Sequence, residues 1–180
     1  MLDTSNAVAT TVEWQTTLIP GDIVRFAFPI RNAGPGMSAK PRPCLVLEVR
    51  TINGHRCAWL GYGTSATTTS NQGYELRVNH PADMQKCGLE KPTRFVCGRC
   101  VLVLLDCPDF LMCKETGSPV IGRLSGSLVT RLVRLVGFVK PDLDDVFARL
   151  RGSDIWGPVA IQVHRHNRRG RASHLSGSVR

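Results

Sequence analysis

The 180 residues suffice for one ordinary domain with tails and are too few for two full cores. An apolar fraction of 42% beside 21% charged residues is that of a soluble globular chain, and no apolar run approaches the ~20 residues of a membrane helix. The formal charge is +9, of which Arg165, Arg168, Arg169, Arg171 and Arg180, in a tail without acids, supply five and residues 1–163 the other four; that balance suits a polyanionic partner and equally serves solubility.

Residues 1–17 are rich in Thr, Ser, Asn and Ala and lack the basic and apolar regions of an export signal. They read as a flexible lead-in to a cytoplasmic protein, ordered from near Leu18. From Gly21, Val24, Phe26 and Phe28 alternate with Ile23, Arg25 and Ala27, the period of a strand with one buried face. After the Gly/Pro-rich loop "IRNAGPGMSA", Leu45, Leu47 and Val49 repeat that pattern, and Asn53-Gly54 predicts a hairpin into "HRCAWLGYG". Three successive antiparallel strands are therefore expected. Tyr74, Leu76 and Val78 give a fourth strand after a Thr/Ser-rich connection, and "RFVCGRCVLVLL" gives a fifth with a bulge or bend at Gly98. Short strands with this punctuation predict a mainly β, α+β fold built on a small, strongly bent antiparallel barrel.

Beyond the strands the period changes. Leu124, Leu128, Leu132, Leu135 and Val136 predict an amphipathic helix over 125–136, ending a barrel domain over 18–140. Asp142, Asp144 and Asp145 suit the start of a second short helix in an extension over 141–163, and 164–180 reads as a disordered basic tail able to hold RNA or DNA by charge alone. Apolar strand faces and the helix over 125–136 account for one core, and no leftover stripe demands a dimer.

Seven cysteines without an export signal read as reduced thiols. Cys97-Gly98-Arg99-Cys100 has the spacing of half a zinc site, but Cys87, Cys107 and Cys113 are spread singly, and the pair lies in a strand rather than before a helix; core thiols are the expected reading, with no metal or cofactor. No two histidines have ligand spacing.

A polar set is more suggestive. Arg42, clamped between prolines at the start of the second strand, is followed by Tyr62-Gly63-Thr64-Ser65 closing the third and Pro92-Thr93-Arg94 opening the fifth. Strand ends meet at the rim of a small barrel, where a guanidinium can grip two phosphate oxygens and a hydroxyl can donate to another. The alternative is that the hydroxyls merely begin loops and Arg42 is a hairpin charge.

"PGDIVRFAFP" followed by a Gly/Pro loop and "KPRPCLVLEV" resembles the opening of the PemK/MazF toxins of bacterial type II toxin–antitoxin systems, and "GYGTS", "YELRV", "GLEKPTRF" and "IGRLSGSLVTRLV" continue in the order of a divergent PemK-like branch, over roughly residues 19–136. The resemblance implies an SH3-like antiparallel β-barrel with one or two attached helices, usually a homodimer, which cuts single-stranded RNA without a metal and is held in check by a cognate antitoxin. It implies that Arg42 and Thr64 bind the scissile phosphate while the substrate's own 2′-OH attacks. Ser65, Thr93, Arg94, Arg99 and Lys40 are the accompanying RNA-binding candidates. The family's carboxylate- or amide-bearing stretch before the arginine is replaced here by "NAGPGMSAK". Glu75 is then the catalytic carboxylate expected by elimination, with Asp22 behind it; Glu75 also reads as a solvent-face charge and Asp22 as a strand-start cap. A catalytically silent nucleic-acid- or protein-binding barrel is the alternative function.

Overall fold

The computed structural model describes residues 13–29, 39–68, 73–150 and 159–162. In chain order the elements are α1 (Trp14–Thr17), β1 (Asp22–Ala27), β2 (Pro41–Ile52), β3 (His55–Thr64), β4 (Glu75–Val78), α2 (Pro81–Lys86), β5 (Thr93–Leu104), β6 (Val120–Arg123), α3 (Ser127–Leu150) and β7 (Val159–Gln162). Every strand pairing is antiparallel, in the order β4-β5-β3-β2-β1-β6, and the sheet curls into a half-barrel. The fold is thus the mainly β, α+β small barrel expected. β7 pairs with Arg99–Leu102 of β5, on the strand edge that β4 occupies along Thr93–Val96.

The first three strands and their Asn53-Gly54 turn fall where the residues place them, with both turn residues at positive φ. The bend at Gly98 is a bulge: the β3–β5 register jumps from Gly61↔Cys100 to Tyr62↔Val96, which leaves Cys97, Gly98 and Arg99 without β3 partners.

The strands bury both faces rather than one. Ile23, Leu45, Leu47, Trp59, Phe95, Cys97, Cys100 and Leu102 form one cluster with Leu132, Leu135, Val139, Leu143 and Phe147 of α3. Their neighbours Val24, Phe26, Cys44, Val46, Ala58, Leu60, Val101 and Val103 form a second, closed by Trp14, Leu18 and Phe110. That explains why "CLVL" and "CVLVLL" are continuously apolar. Trp14, four residues before Leu18, packs 4.8 Å from the Phe110 ring.

α3 differs from expectation in length. It runs without interruption through Pro141, merging the two predicted helices. Pro141 and Gly137 are exposed, so the carbonyl that loses its partner to proline faces water. The later turns are held by tertiary contacts: Phe147 packs edge-on against Trp59 at 5.6 Å, and the Arg50 guanidinium lies 4.3 Å from the Phe147 ring while donating to Glu48 and Asp144. Val129, Val133 and Phe138 of α3 are exposed, but at about 100° per residue Phe138 lies across the helix from the other two, so they form no single apolar stripe. α2 was not anticipated, although Pro81 at its first turn and Asp83 behind it are recognisable start signals. Among the described residues no helix is long and apolar enough to cross a membrane. The lead-in through residue 12, the loop over 30–38, part of the Thr/Ser-rich connection and the basic tail lie outside the described residues.

Candidate functional site

Register brings the polar candidates together. Thr64 on β3 pairs with Arg94 on β5, and Arg94 with Arg77 on β4. Cys44 pairs with Tyr62, so two further residues along each strand set Arg42 beside Thr64. Arg42, Thr64, Arg94 and Arg77 thus form one row across four adjacent strands, spaced about 4.8 Å per strand. Strand alternation places the row on the face away from α3: Leu60 and Cys44, of the same parity, belong to the second cluster, and Tyr62 packs against it.

β2 and β3 approach unusually closely here. A Cβ on Gly63 would collide with the Pro43 carbonyl oxygen and reach 3.0 Å from Phe95 Cε1, so only glycine lets the Arg42 and Thr64 backbones come this near. Around these strand ends lies a cleft of about 320 Å³, lined by Arg25, Arg42, Thr64, Ser65, Thr93 and Lys91 together with Pro41, Pro43, Gly63, Ile121 and the segment Gly88–Glu90. Arg42, Thr64, Ser65 and Thr93 are therefore gathered at one place; Lys40, exposed just before β2, does not line the cleft.

The side chains differ in what they have left to offer. Arg42 Nε is buried without an acceptor among the described residues, an orphan donor at the mouth of the cleft. Its guanidinium lies 5.3 Å from the Tyr62 ring centroid. Thr64 Oγ1 accepts the Ala66 amide at 3.1 Å, which leaves its own hydrogen free to donate, whereas the Thr93 hydroxyl donates to the Lys91 carbonyl at 2.9 Å. Arg99, delivered by the bulge, sits 4.2 Å from the Tyr62 centroid and 5.6 Å from that of Phe28.

Glu75 shares the face of the row but not the cleft. Its Oε2 accepts from Arg94 Nη1 at 2.8 Å and its Oε1 from Arg77 Nε and Nη2 at 2.9 and 2.5 Å, while Arg94 also donates to the Thr68 carbonyl and hydroxyl. Both carboxylate oxygens are occupied, and the side chain is 7% exposed, so it is not the solvent-face charge that its position also suggested. Asp22 is the strand-start cap: it accepts the Ile19 amide and pairs with Arg123 at 2.5 Å, the contact that holds the Arg123 guanidinium even more firmly protonated than usual. The carboxylate that sequence reasoning missed is Glu90, which is exposed, lines the cleft and makes no ion pair among the described residues. Its only signal was proximity to Lys91 and Thr93 in a loop that folds back over the strand ends.

Cys97 and Cys100 lie in the α3-facing cluster. Burial pushes the Cys97 thiol up to about 12 and raises Cys100 as well, with Cys97 and Asp142 adding to the shift, so both are weak nucleophiles. Among the described residues no group of three or more His, Cys, Asp or Glu side chains is arranged to hold a metal ion. Comparison with protein-family models and with curated proteins returned no match to this chain.

Proposed function

We propose that this protein is a toxin-like, metal-independent endoribonuclease acting on single-stranded RNA, as its resemblance to the PemK/MazF toxins implies. The observation that supports this reading is the cross-strand row: three guanidinium groups and one hydroxyl on one face, beside a cleft carrying Arg25 and Lys91 as well. Of that row Arg42 is the member whose fork is open to phosphate oxygens, its Nε lacking an acceptor among the described residues, while Arg94 and Arg77 hold Glu75 and add positive charge beside it. Arg42 and Thr64 hold the scissile phosphate, and Arg42 offsets the charge that develops on its oxygens. The substrate 2′-oxygen forms a bond to phosphorus as the bond to the 5′-oxygen breaks, leaving a 2′,3′-cyclic phosphate. Glu90, the cleft carboxylate not engaged by a cation, accepts the 2′-OH proton, and solvent protonates the departing 5′-oxygen. A second copy of the chain and an acidic antitoxin that covers the arginine row are the partners this reading carries.

The test is cleavage of a mixed-sequence single-stranded RNA in the presence of a chelator, with the ends analysed for cyclic phosphate. Arg42→Ala should abolish cleavage while thermal unfolding stays that of the parent; retained activity would remove Arg42 from the site. Induced expression should arrest growth, relieved by the product of a neighbouring gene.

A second reading, a catalytically silent nucleic-acid-binding barrel, is favoured by one observation: the Glu75 carboxylate is fully committed to Arg77 and Arg94. Binding that weakens steeply with salt, without any cleavage, would select it.

A further inference from the structure

Next to the arginine row stands an arrangement that the phosphate chemistry does not use. Tyr62 precedes Thr64 on the same face of β3; Phe28 packs edge-on against it with ring centroids 5.0 Å apart, and two guanidinium groups, of Arg99 and Arg42, lie 4.2 and 5.3 Å from its centroid. Phe28 is buried and forms the floor, whereas Tyr62 and Arg99 are half-buried and reach the surface.

Arg99 is the unusual member. Regular alternation along β5 is broken by the bulge, and it is this irregularity that turns Arg99 toward Tyr62 and Phe28. Among the described residues it has neither a carboxylate partner nor a hydrogen-bond acceptor. Among those residues its five N–H donors are uncommitted, while its plane is held by aromatic rings. A guanidinium placed over a tyrosine presents a flat cationic surface on which a nucleobase stacks, and its edge remains free for base or phosphate oxygens.

We propose that Tyr62 and Arg99 form a nucleobase-stacking subsite for the nucleotide adjoining the phosphate held by Arg42 and Thr64. This rests on the single-stranded RNA reading above. Arg42 connects the two functions, since one guanidinium both lines the cleft and overlies Tyr62. Stacking of this kind accepts any base in proportion to its π surface, so purines are bound more tightly than pyrimidines at this position.

The experiment uses the full chain and an RNA oligonucleotide made uncleavable by 2′-O-methylation. 2-Aminopurine is scanned through the sequence, and affinity is measured by anisotropy. One position should show fluorescence quenching on binding, and an abasic residue there should weaken affinity about 10-fold. Tyr62→Leu and Arg99→Gln should lose the quench and the penalty for the abasic residue, and Tyr62→Phe should keep both. RNA bound tightly by the parent protein but with no quench and no abasic penalty at any position would overturn the stacking subsite and leave the RNA reading intact. Absence of any RNA binding by the parent would overturn both. Because the abasic series uses the unaltered protein, the outcome does not depend on any variant folding.

Discussion

The carboxylate of Glu75 and the guanidinium of Arg94 meet at 2.8 Å with both side chains less than a tenth exposed. The two are mutually dependent, because removing Arg94 leaves Glu75 Oε2 buried without that donor while Oε1 keeps Arg77. Arg94→Met should therefore destabilise the fold by about 1–3 kcal/mol, and the double replacement Glu75→Met with Arg94→Met should recover most of that loss. Denaturant unfolding of the four proteins of the cycle measures it; independent, additive losses would show that the pair is not coupled.

Arg77 stands at the outer end of the same row, with a side chain 47% exposed. If the row carries an RNA backbone, Arg77→Gln should weaken binding for all sequences alike. It should also reduce the slope of log affinity against log salt by about 0.7, the counterions released by one phosphate of a single strand. An unchanged slope would place Arg77 outside the path of the RNA.

Glu90→Gln separates binding from chemistry. The amide keeps the shape of the side chain but cannot take a proton, so cleavage should fall by about 100-fold or more while RNA affinity stays unchanged. Equal losses in both would make Glu90 a binding residue instead.

Gly63 is expected to tolerate no side chain. The methyl of Gly63→Ala must push the Pro43 backbone away from β3, at a cost on the order of 3 kcal/mol for overpacking, and the displaced β2 would carry Arg42 from Thr64. Loss of RNA affinity together with a lowered melting temperature is the expected outcome. Leu143, fully buried beneath the sheet, tests the opposite end of the molecule: Leu143→Ala should cost about 2–5 kcal/mol, because α3 continues past Pro141 into the core. A small effect would mean that the helix stops at the proline.

Five of the seven cysteines are buried, and only Cys107 and Cys113 are partly accessible. A thiol reagent should therefore label two cysteines rapidly in the native protein and the rest only after denaturation. Burial raises Cys44 and Cys97 from 9.0 to about 12. Since the folded values lie above the unfolded ones, the unfolded chain loses these protons first as pH rises. Their contribution to stability is complete below pH 9 and declines as pH climbs from there toward 12. Thermal melts between pH 8 and 10.5 should show this decline, and Cys97→Ala should reduce it.

The sequence by itself determined five of the seven described strands and the succession of the first three, but not β6, β7 or the pairing of β5 with β3. Val24, Phe26, Leu45 and Leu47 alternate as a pleated chain must, Asn53-Gly54 supplies the two residues that accept positive φ, and Gly98 marks the bulge. Each of these signals is local, because it depends on backbone conformations that the residue itself prefers. Arg42, Thr64, Ser65 and Thr93 could likewise be singled out as residues at strand ends, and the structure gathers all four at one cleft.

What only the tertiary structure decided was the environment of each group. That both strand faces are buried depends on α3 and on Trp14 and Phe110 arriving from distant parts of the chain. Pro141 stops a helix in isolation, yet the contacts of Leu143 and Phe147 with the sheet outweigh its missing hydrogen bond. Glu75 looked available because its position in the alternation says nothing of Arg94 on the next strand, which engages it, and Glu90 was overlooked because no periodicity records where a loop folds. Burial and charge pairing are properties of neighbours in space, and register across four strands is what turned scattered arginines into a row.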